Sequence, residues 1–272
     1  FGVAFDRPYD VVRVERAHET TIEVTGVGHQ FIPNDPARNT AGIVADELDA
    51  PAKIVIDKGV RPASGLGSSA ASAAGAAVAL NELYDRNLSR PELVRIAAEG
   101  EAAVSGTAHA DNVAPAIMGG FTVVRDDGVE SVDADLPLVA CLPETVVSTR
   151  DARRVVPAEV SMDDMIHTVG SAATLTIGMH RNDPELVGRG MAERVVTPAR
   201  AELIDGYSRV VDAAKESGAT GVTVSGAGPA LLAVTERGRQ REVAAAMIDA
   251  FAEVDVDART YPTTIGEGAV VH

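Results

Sequence analysis

Apolar and polar residues alternate along Val11–Glu15 and Thr21–Val27, the period-two pattern of strands with one buried face. Ala52–Val60 (AKIVIDKGV) is strand-like as well, and Asp35–Asp49 before it reads as a helix. Beyond Val60 the pattern changes character. Two glycines, Gly65 and Gly67, precede the Ala-rich run Ser68–Tyr84, which predicts a long helix. Ser89 and Glu92 make a capping-box signature for the next helix, with Pro91 in its first turn and Glu99 and Glu101 near its end. After Gly106 the spacing predicts a loop through His109–Asn112, a short helix and a strand over Gly120–Arg125.

A second unit starts near Leu136. Leu138–Ser148 is strand-like, Ser161 and Asp164 cap a helix running towards Met179, and Thr197-Pro198 opens a helix ending near Gly218. Strands over Gly221–Ser225 and Ala230–Thr235 are joined by Gly226-Ala227-Gly228-Pro229; a helix near Arg239–Phe251 and a strand near Ala258–Thr264 follow. This order approximates a ferredoxin-like split βαβ. The class expected is α/β (α+β), with an N-terminal domain over 1–135 and a C-terminal domain over 136–272.

Composition narrows the picture. Hydrophobic residues make up 46% of the 272, enough for a core, but aromatics only 3%, so Ala, Val, Leu and Ile must fill it. No run of about 18 apolar residues exists and no signal peptide opens the chain, which leads us to expect a cytoplasmic protein. The one cysteine, Cys141, excludes an intrachain disulfide and a CxxC metal site. The net charge is −16, and lysine occurs only at positions 53, 58 and 215. An acidic, lysine-poor surface suggests salt adaptation and argues against nucleic acid as a partner.

The candidate chemistry lies in Arg61–Tyr84 (RPASGLGSSAASAAGAAVALNELY). Glycines two apart let the backbone turn tightly and converge its N–H groups, and the helix beyond adds free N–H groups and the positive end of its dipole. That is how a phosphate cradle is built. Ser68 and Ser69 offer hydroxyls to a phosphate or to Mg²⁺. A Walker A loop is absent, as are protein-kinase HRD and DFG signatures.

Together with Gly106–Phe121 (GTAHADNVAPAIMGGF) and Val222–Val234 (VTVSGAGPALLAV), this loop resembles the three ordered motifs of the GHMP kinase superfamily, in the form of its homoserine-kinase branch. The resemblance implies a ribosomal-S5-like N-terminal domain and a ferredoxin-like C-terminal domain. It also implies transfer of the ATP γ-phosphate to L-homoserine, feeding threonine biosynthesis, with ATP and Mg²⁺ as cofactors. Another small-molecule kinase of mevalonate or shikimate type, or a non-catalytic sensor, are the alternatives. The branch opens with Asn-Leu-Gly-x-Gly-Phe-Asp, and this sequence starts at Phe1-Gly2-Val3-Ala4-Phe5, just beyond it; the Asn and Asp of that segment have no counterpart here.

The resemblance also assigns residues. Pro62, Ala63, Ser64, Gly65, Leu66, Gly67, Ser68, Ser69, Ala70 and Ala71 would bind ATP, with Gly226 and Gly228 letting the third motif approach. Ser69 and Glu101 would hold Mg²⁺, which takes hard oxygen ligands and keeps waters; Glu99 is a decoy two residues away. Asn112 would steady the phosphoryl group in a reaction without a conventional base. His109, Asp111, Thr149, Arg153, His167 and Arg200 would bind substrate, the two arginines clamping its carboxylate bidentately. Arg200 is expected in a helix's first turn, where a bound anion would offset its opposition to the dipole. No membrane partner is expected, and a homodimer is compatible with this class.

Overall fold

In Ala52–Lys58 every second residue is buried, so one side of this strand lies in a core. Its neighbours differ in direction. Val11–Arg16 pairs with it antiparallel and Thr21–Gly26 parallel. The parallel pairing requires a crossover, and residues 27–51 supply it. The computed structural model describes residues 1–106 and 110–272. It divides into one unit of Phe1–Pro62, Gly67–Val132 and Gly266–His272, and another of Ala63–Leu66 and Asp133–Ile265. Apart from a short loop and residues 266–272, which change units, the break falls at 132/133, beside the expected boundary at 135/136.

The first unit contains, in order, β1 (Gly2–Val3), β2 (Val11–Arg16), β3 (Thr21–Gly26), α1 (Thr40–Glu47), β4 (Ala52–Lys58), α2 (Ser68–Leu83), α3 (Arg90–Ser105), α4 (Ala110–Met118), β5 (Phe121–Arg125) and β6 (Gly128–Val132). One sheet has the order β2-β4-β3, the other β1-β5-β6. Ile54 and Ile56 of β4 meet Val44 of α1, Leu80 of α2, Leu93 of α3 and Ile117 of α4 in one core. Alanines 70, 73, 74, 76 and 77 make α2 apolar around much of its girth, and all are buried. The capping box of α3 forms as its sequence predicts. The helix expected over 35–49 is shorter. Asp35 and Pro36 make a separate 3₁₀ turn, and α1 starts only after Asn39, whose side chain accepts from Ala41 N at 3.0 Å.

The second unit contains β7 (Pro137–Pro143), α5 (Thr149–Arg154), α6 (Met162–Arg181), α7 (Pro184–Gly190), α8 (Val196–Ala201), α9 (Tyr207–Glu216), β8 (Ala219–Val224), β9 (Leu231–Thr235), α10 (Gln240–Ala252) and β10 (Ala258–Thr264). Its antiparallel sheet runs β10-β7-β9-β8, the ferredoxin-like order with extra helices between the first two strands. β7 is buried along its whole length, and burial pushes the Cys141 thiol up to about 12. The strand expected over 138–148 stops at Pro143, since Ser148 turns the chain into α5 by accepting from Asp151 N at 3.0 Å. The single helix expected over 197–218 is two helices, divided at Gly206, which adopts φ 80°.

Beneath the first turn of α2 lies a buried ion pair. The Lys58 ammonium contacts the Asp10 carboxylate, and both side chains are 1% exposed. Lys58 Nζ also donates to Ser68 O at 2.6 Å and Ser72 Oγ at 2.8 Å. Asp10 accepts from Gly59 N and Val60 N at 3.0 Å each, and from Ser72 Oγ at 3.0 Å. Burial holds Lys58 below the ordinary lysine pKa, against the opposing pull of Asp10 and Glu101.

Asp10→Asn leaves the ammonium without its counter-charge and should cost about 3–5 kcal/mol in denaturant unfolding. A lysine whose folded pKa is lowered binds its proton more readily in the unfolded chain, so stability rises with pH between the folded value and roughly 10.4. The variant should therefore regain part of its loss as the pH is raised through that window. A loss with no pH dependence would mean that packing, not charge, is what Asp10 supplies.

Candidate phosphate-binding and substrate site

The loop between β4 and α2 is divided between the two units. It leaves the first unit after Pro62, belongs to the second unit for Ala63–Leu66, and returns at Gly67. In the second unit Ser64 is buried; its carbonyl accepts from Ala230 N at 3.1 Å and its hydroxyl from Leu66 N at 3.2 Å. Ser225 Oγ donates to Gly65 O at 2.8 Å. A Cβ on Gly65 would lie 2.6 Å from Ser225 O and 2.8 Å from Gly228 O, so only glycine lets the loop rest on the Ser225–Pro229 turn. Gly226 contributes to the same approach, with a Cβ there 3.3 Å from Gly65 O.

In the first unit Gly67 caps α2 in the left-handed conformation, φ 71°. The N–H groups of Ser68, Ser69 and Ala70 beyond it have no carbonyl a turn behind them; the ladder starts with Ala71 N on Gly67 O at 2.9 Å. A Cβ on Gly67 would touch nothing nearer than Asn112 Cβ at 3.8 Å. The glycine therefore serves its φ and keeps space clear above the free N–H groups. The expectation for the two hydroxyls divides. Ser68 Oγ donates to Val60 O at 2.7 Å and is buried, so its side chain fastens the helix instead of reaching outwards. Ser69 is exposed.

Glu101 and Glu99 lie in different surroundings. Glu101 is 2% exposed, close enough to influence Lys58, while Glu99 pairs with Arg95 on the surface at 2.9 Å. Thr40 links the helices here: its hydroxyl donates to Ser69 O at 3.4 Å, and its carbonyl would lie 3.3 Å from a Cβ on Gly100. Asp111 and Asn112 occupy the first turn of α4, not a loop as expected; Asn112 is half-buried beside Gly67 and Asp111 is exposed. His109 lies outside the described residues. Among those described, no group of three or more His, Cys, Asp or Glu is arranged to hold a metal.

In the second unit, Arg200 stands in the last turn of α8, correcting the expectation of a first-turn cation. The helix starts at Val196 and has only six residues, so position 200 falls at its negative end, where a cation is favoured. Its start is fixed by Glu193, whose carboxylate accepts from the N–H groups of Val195, Val196 and Thr197. Those bonds hold the Glu193 carboxyl below its ordinary pKa although burial pulls the other way. Arg200 donates from Nη1 to Gly226 O at 2.7 Å and from Nε to Ala152 O at 3.3 Å, so it sits next to Arg153 and the Gly226 turn. Thr149 and Arg153 are exposed at the two ends of α5. His167 on α6 contacts Ala192 O through Nε2 at 2.7 Å, one residue before Glu193.

Sequence reasoning missed Asp10 and Lys58. A signal existed. The alternation that buries Ala52, Ile54 and Ile56 puts Lys58 on the core side, and a lysine there needs a counter-charge.

Two family models match: that of the GHMP kinases N terminal domain over residues 37–120, and that of the GHMP kinases C terminal over residues 175–253. The chain is 68% identical over 271 residues to homoserine kinase of Halorubrum lacusprofundi, covering 100% of this chain and 92% of the relative. It is 69% identical to that of Haloquadratum walsbyi, covering 100% and 93%. The crystal structure of homoserine kinase from Cytophaga hutchinsonii superimposes with a TM-score of 0.88 at 32% identity, over 98% of this chain and 89% of that one. The chain thus belongs to the GHMP kinases, in their homoserine kinase family.

Proposed function

We propose that this protein transfers the γ-phosphoryl group of ATP to the side-chain hydroxyl of L-homoserine, giving O-phospho-L-homoserine for threonine biosynthesis. The observation that carries this reading is the identity of 68% to a homoserine kinase along the whole chain. Phosphoryl transfer asks for positioning and charge neutralisation more than covalent help. The free N–H groups at the start of α2 would bind the phosphates, with Gly67 keeping their approach open and the Asn112 amide beside it. The donor set fits Mg²⁺. Ser69 supplies an exposed hydroxyl and Glu101 a buried carboxylate, both hard oxygens, and an ion that keeps waters and phosphate oxygens needs few protein ligands. When bound, Mg²⁺ would neutralise charge on the β- and γ-phosphates.

No side chain is assigned as base. The hydroxyl would attack directly, and its proton would leave through phosphate or water. Arg200 would bind the substrate carboxylate together with Arg153. Its bonds to Gly226 O and Ala152 O support this, because they orient the planar fork before substrate arrives. Thr149, Asp111, His109 and His167 complete the proposed substrate contacts.

Full-length protein in molar KCl should phosphorylate L-homoserine far faster than mevalonate, shikimate or galactose. A preference for mevalonate or shikimate would overturn the assignment, and so would no turnover of any of them. Glu101→Ala should abolish turnover and Glu99→Ala should be mild; equal losses would remove Glu101 from the metal site.

Arg200→Leu should raise the KM for homoserine on the order of 10–100-fold, the worth of a charge-assisted bond of about 1.5–3 kcal/mol. The KM for ATP should stay nearly constant, and Arg200→Lys should recover only part of the loss. Amino alcohols lacking the carboxylate should be poor substrates that the substitution scarcely worsens. A parallel rise in the KM for ATP would mean that Arg200 merely braces the Gly226 turn.

A further inference from the structure

Helix α8 carries Arg200, yet packing does little to hold it. It is six residues long and has no buried residue, and a helix shorter than about 12 residues does not persist on its own propensity. A cavity of about 670 Å³ lies against it, lined by Thr197 and Ala201 of α8, by Met191 and Glu193 before it, and by Tyr207 of α9. The tethers of α8 are polar. The Glu193 carboxylate takes the N–H groups at its start, the hydroxyls of Thr197 and Thr223 bond at 2.8 Å, and Arg200 reaches two main-chain carbonyls.

Of these, Glu193 stands on the firmest base. Helix α7 just before it is packed on both sides. A Cβ on Gly178 of α6 would lie 2.7 Å from Val187 N, and one on Gly188 would collide with Thr220 O of β8. From the end of α7 the chain is bonded onwards, Met191 N to Val187 O at 2.9 Å and Glu193 N to Met191 O at 3.0 Å. His167 of α6 meets Ala192 O at 2.7 Å.

The sequence offers this segment two helix starts. One is Thr197-Pro198, a threonine cap with proline in the first helical position. A helix begun there would put Arg200 in its first turn, where a cation opposes the dipole. Glu193 makes the other. Its oxygens accept from Val195 N at 2.6 Å, from Val196 N at 2.9 Å and from Thr197 N, and Pro198 has no N–H left to satisfy. The helix then starts at Val196, and Arg200 falls in its last turn. An ionised carboxylate suits this task because it only accepts, and bonds to a charged acceptor are the strong ones.

We infer that, given the role proposed for Arg200, Glu193 is its positioning residue: by selecting the earlier start of α8 it aims the guanidinium and so sets the affinity for the carboxylate of the acceptor substrate. Glu193 acts through the helix and does not touch the substrate. Without it the first turn of a six-residue helix is released, and Arg200 loses its fixed direction.

Glu193→Ala should raise the KM for homoserine by about 2–30-fold, the range that a lost helix cap spans. The KM for ATP and the circular dichroism should stay as in the parent. Glu193→Gln keeps the volume but turns one acceptor oxygen into a donor, so it should raise the same constant by less. It also carries the test if the alanine variant fails to fold. Amino alcohols lacking the carboxylate should be no worse as substrates for either variant, and an equal loss on them overturns the inference. A cycle with Arg200→Leu separates the two roles. If Arg200→Leu alone leaves the KM for homoserine unchanged, Arg200 is not the clamp and the role of Glu193 falls with it. If Arg200→Leu raises that KM and neither Glu193 variant does, Arg200 is the clamp and Glu193 does not position it. If both single substitutions raise it, the double variant should be no worse than Arg200→Leu; losses that multiply would mean that Glu193 acts elsewhere and would overturn the inference.

Discussion

The Lys58–Asp10 pair is the interaction on which the start of α2 depends. A helix start that presents bare N–H groups has nothing of its own to keep it in place. Here Lys58 takes the Ser68 carbonyl and the Ser72 hydroxyl, while Asp10 takes the N–H groups of Gly59 and Val60, the two residues leaving β4. One ion pair thus fixes the end of a strand against the beginning of a helix. Such pairs recover their desolvation cost only when their remaining donors and acceptors are satisfied. What this one supplies is position for the start of α2.

Surface pairs contribute in another way. Arg237–Asp135 and Arg125–Asp127 are bonded at 3.0 and 2.8 Å, but all four side chains are 64–71% exposed. Such pairs add little in dilute salt and less in concentrated salt. With 40 acidic residues against 24 basic, the surface suits the medium in which halophilic relatives live. Charged groups withdrawn from that medium are screened less: the buried Lys58, the half-buried Glu193 and Arg200, which is braced by main-chain carbonyls.

How far the sequence was legible depends on how local each signal is. The glycine pair, the Ser89–Glu92 box and the Ser161 cap act within a few residues, and the corresponding helices stand where the spacing puts them. The division between α8 and α9 was hidden because Thr197-Pro198 reads as a start, whereas Glu193 makes the start earlier and Gly206 breaks the run towards Gly218. That shift moved Arg200 from one end of a helix to the other and reversed the sign of its dipole interaction. β6 was missed although Asp126-Asp127 makes a two-residue turn back from β5. The role of Ser68 was illegible for a different reason: its partner is a carbonyl eight residues earlier, and no side-chain pattern announces a main-chain acceptor.

The route of the chain has a consequence for its biosynthesis. The residues after Ile265 return to the first unit: Gly266 donates to Ala4 O at 3.0 Å and accepts from Gly120 N at 2.9 Å, and Ala269 donates to Ala116 O at 2.7 Å and accepts from Arg90 Nη2 at 2.9 Å. On the ribosome these contacts cannot form until everything from Asp133 to Ile265 has been made. The unit translated first is therefore the one finished last. A nascent chain therefore keeps its first unit only partly assembled until residues 266–272 emerge, so a truncation just before Gly266 should be as damaging as one far upstream.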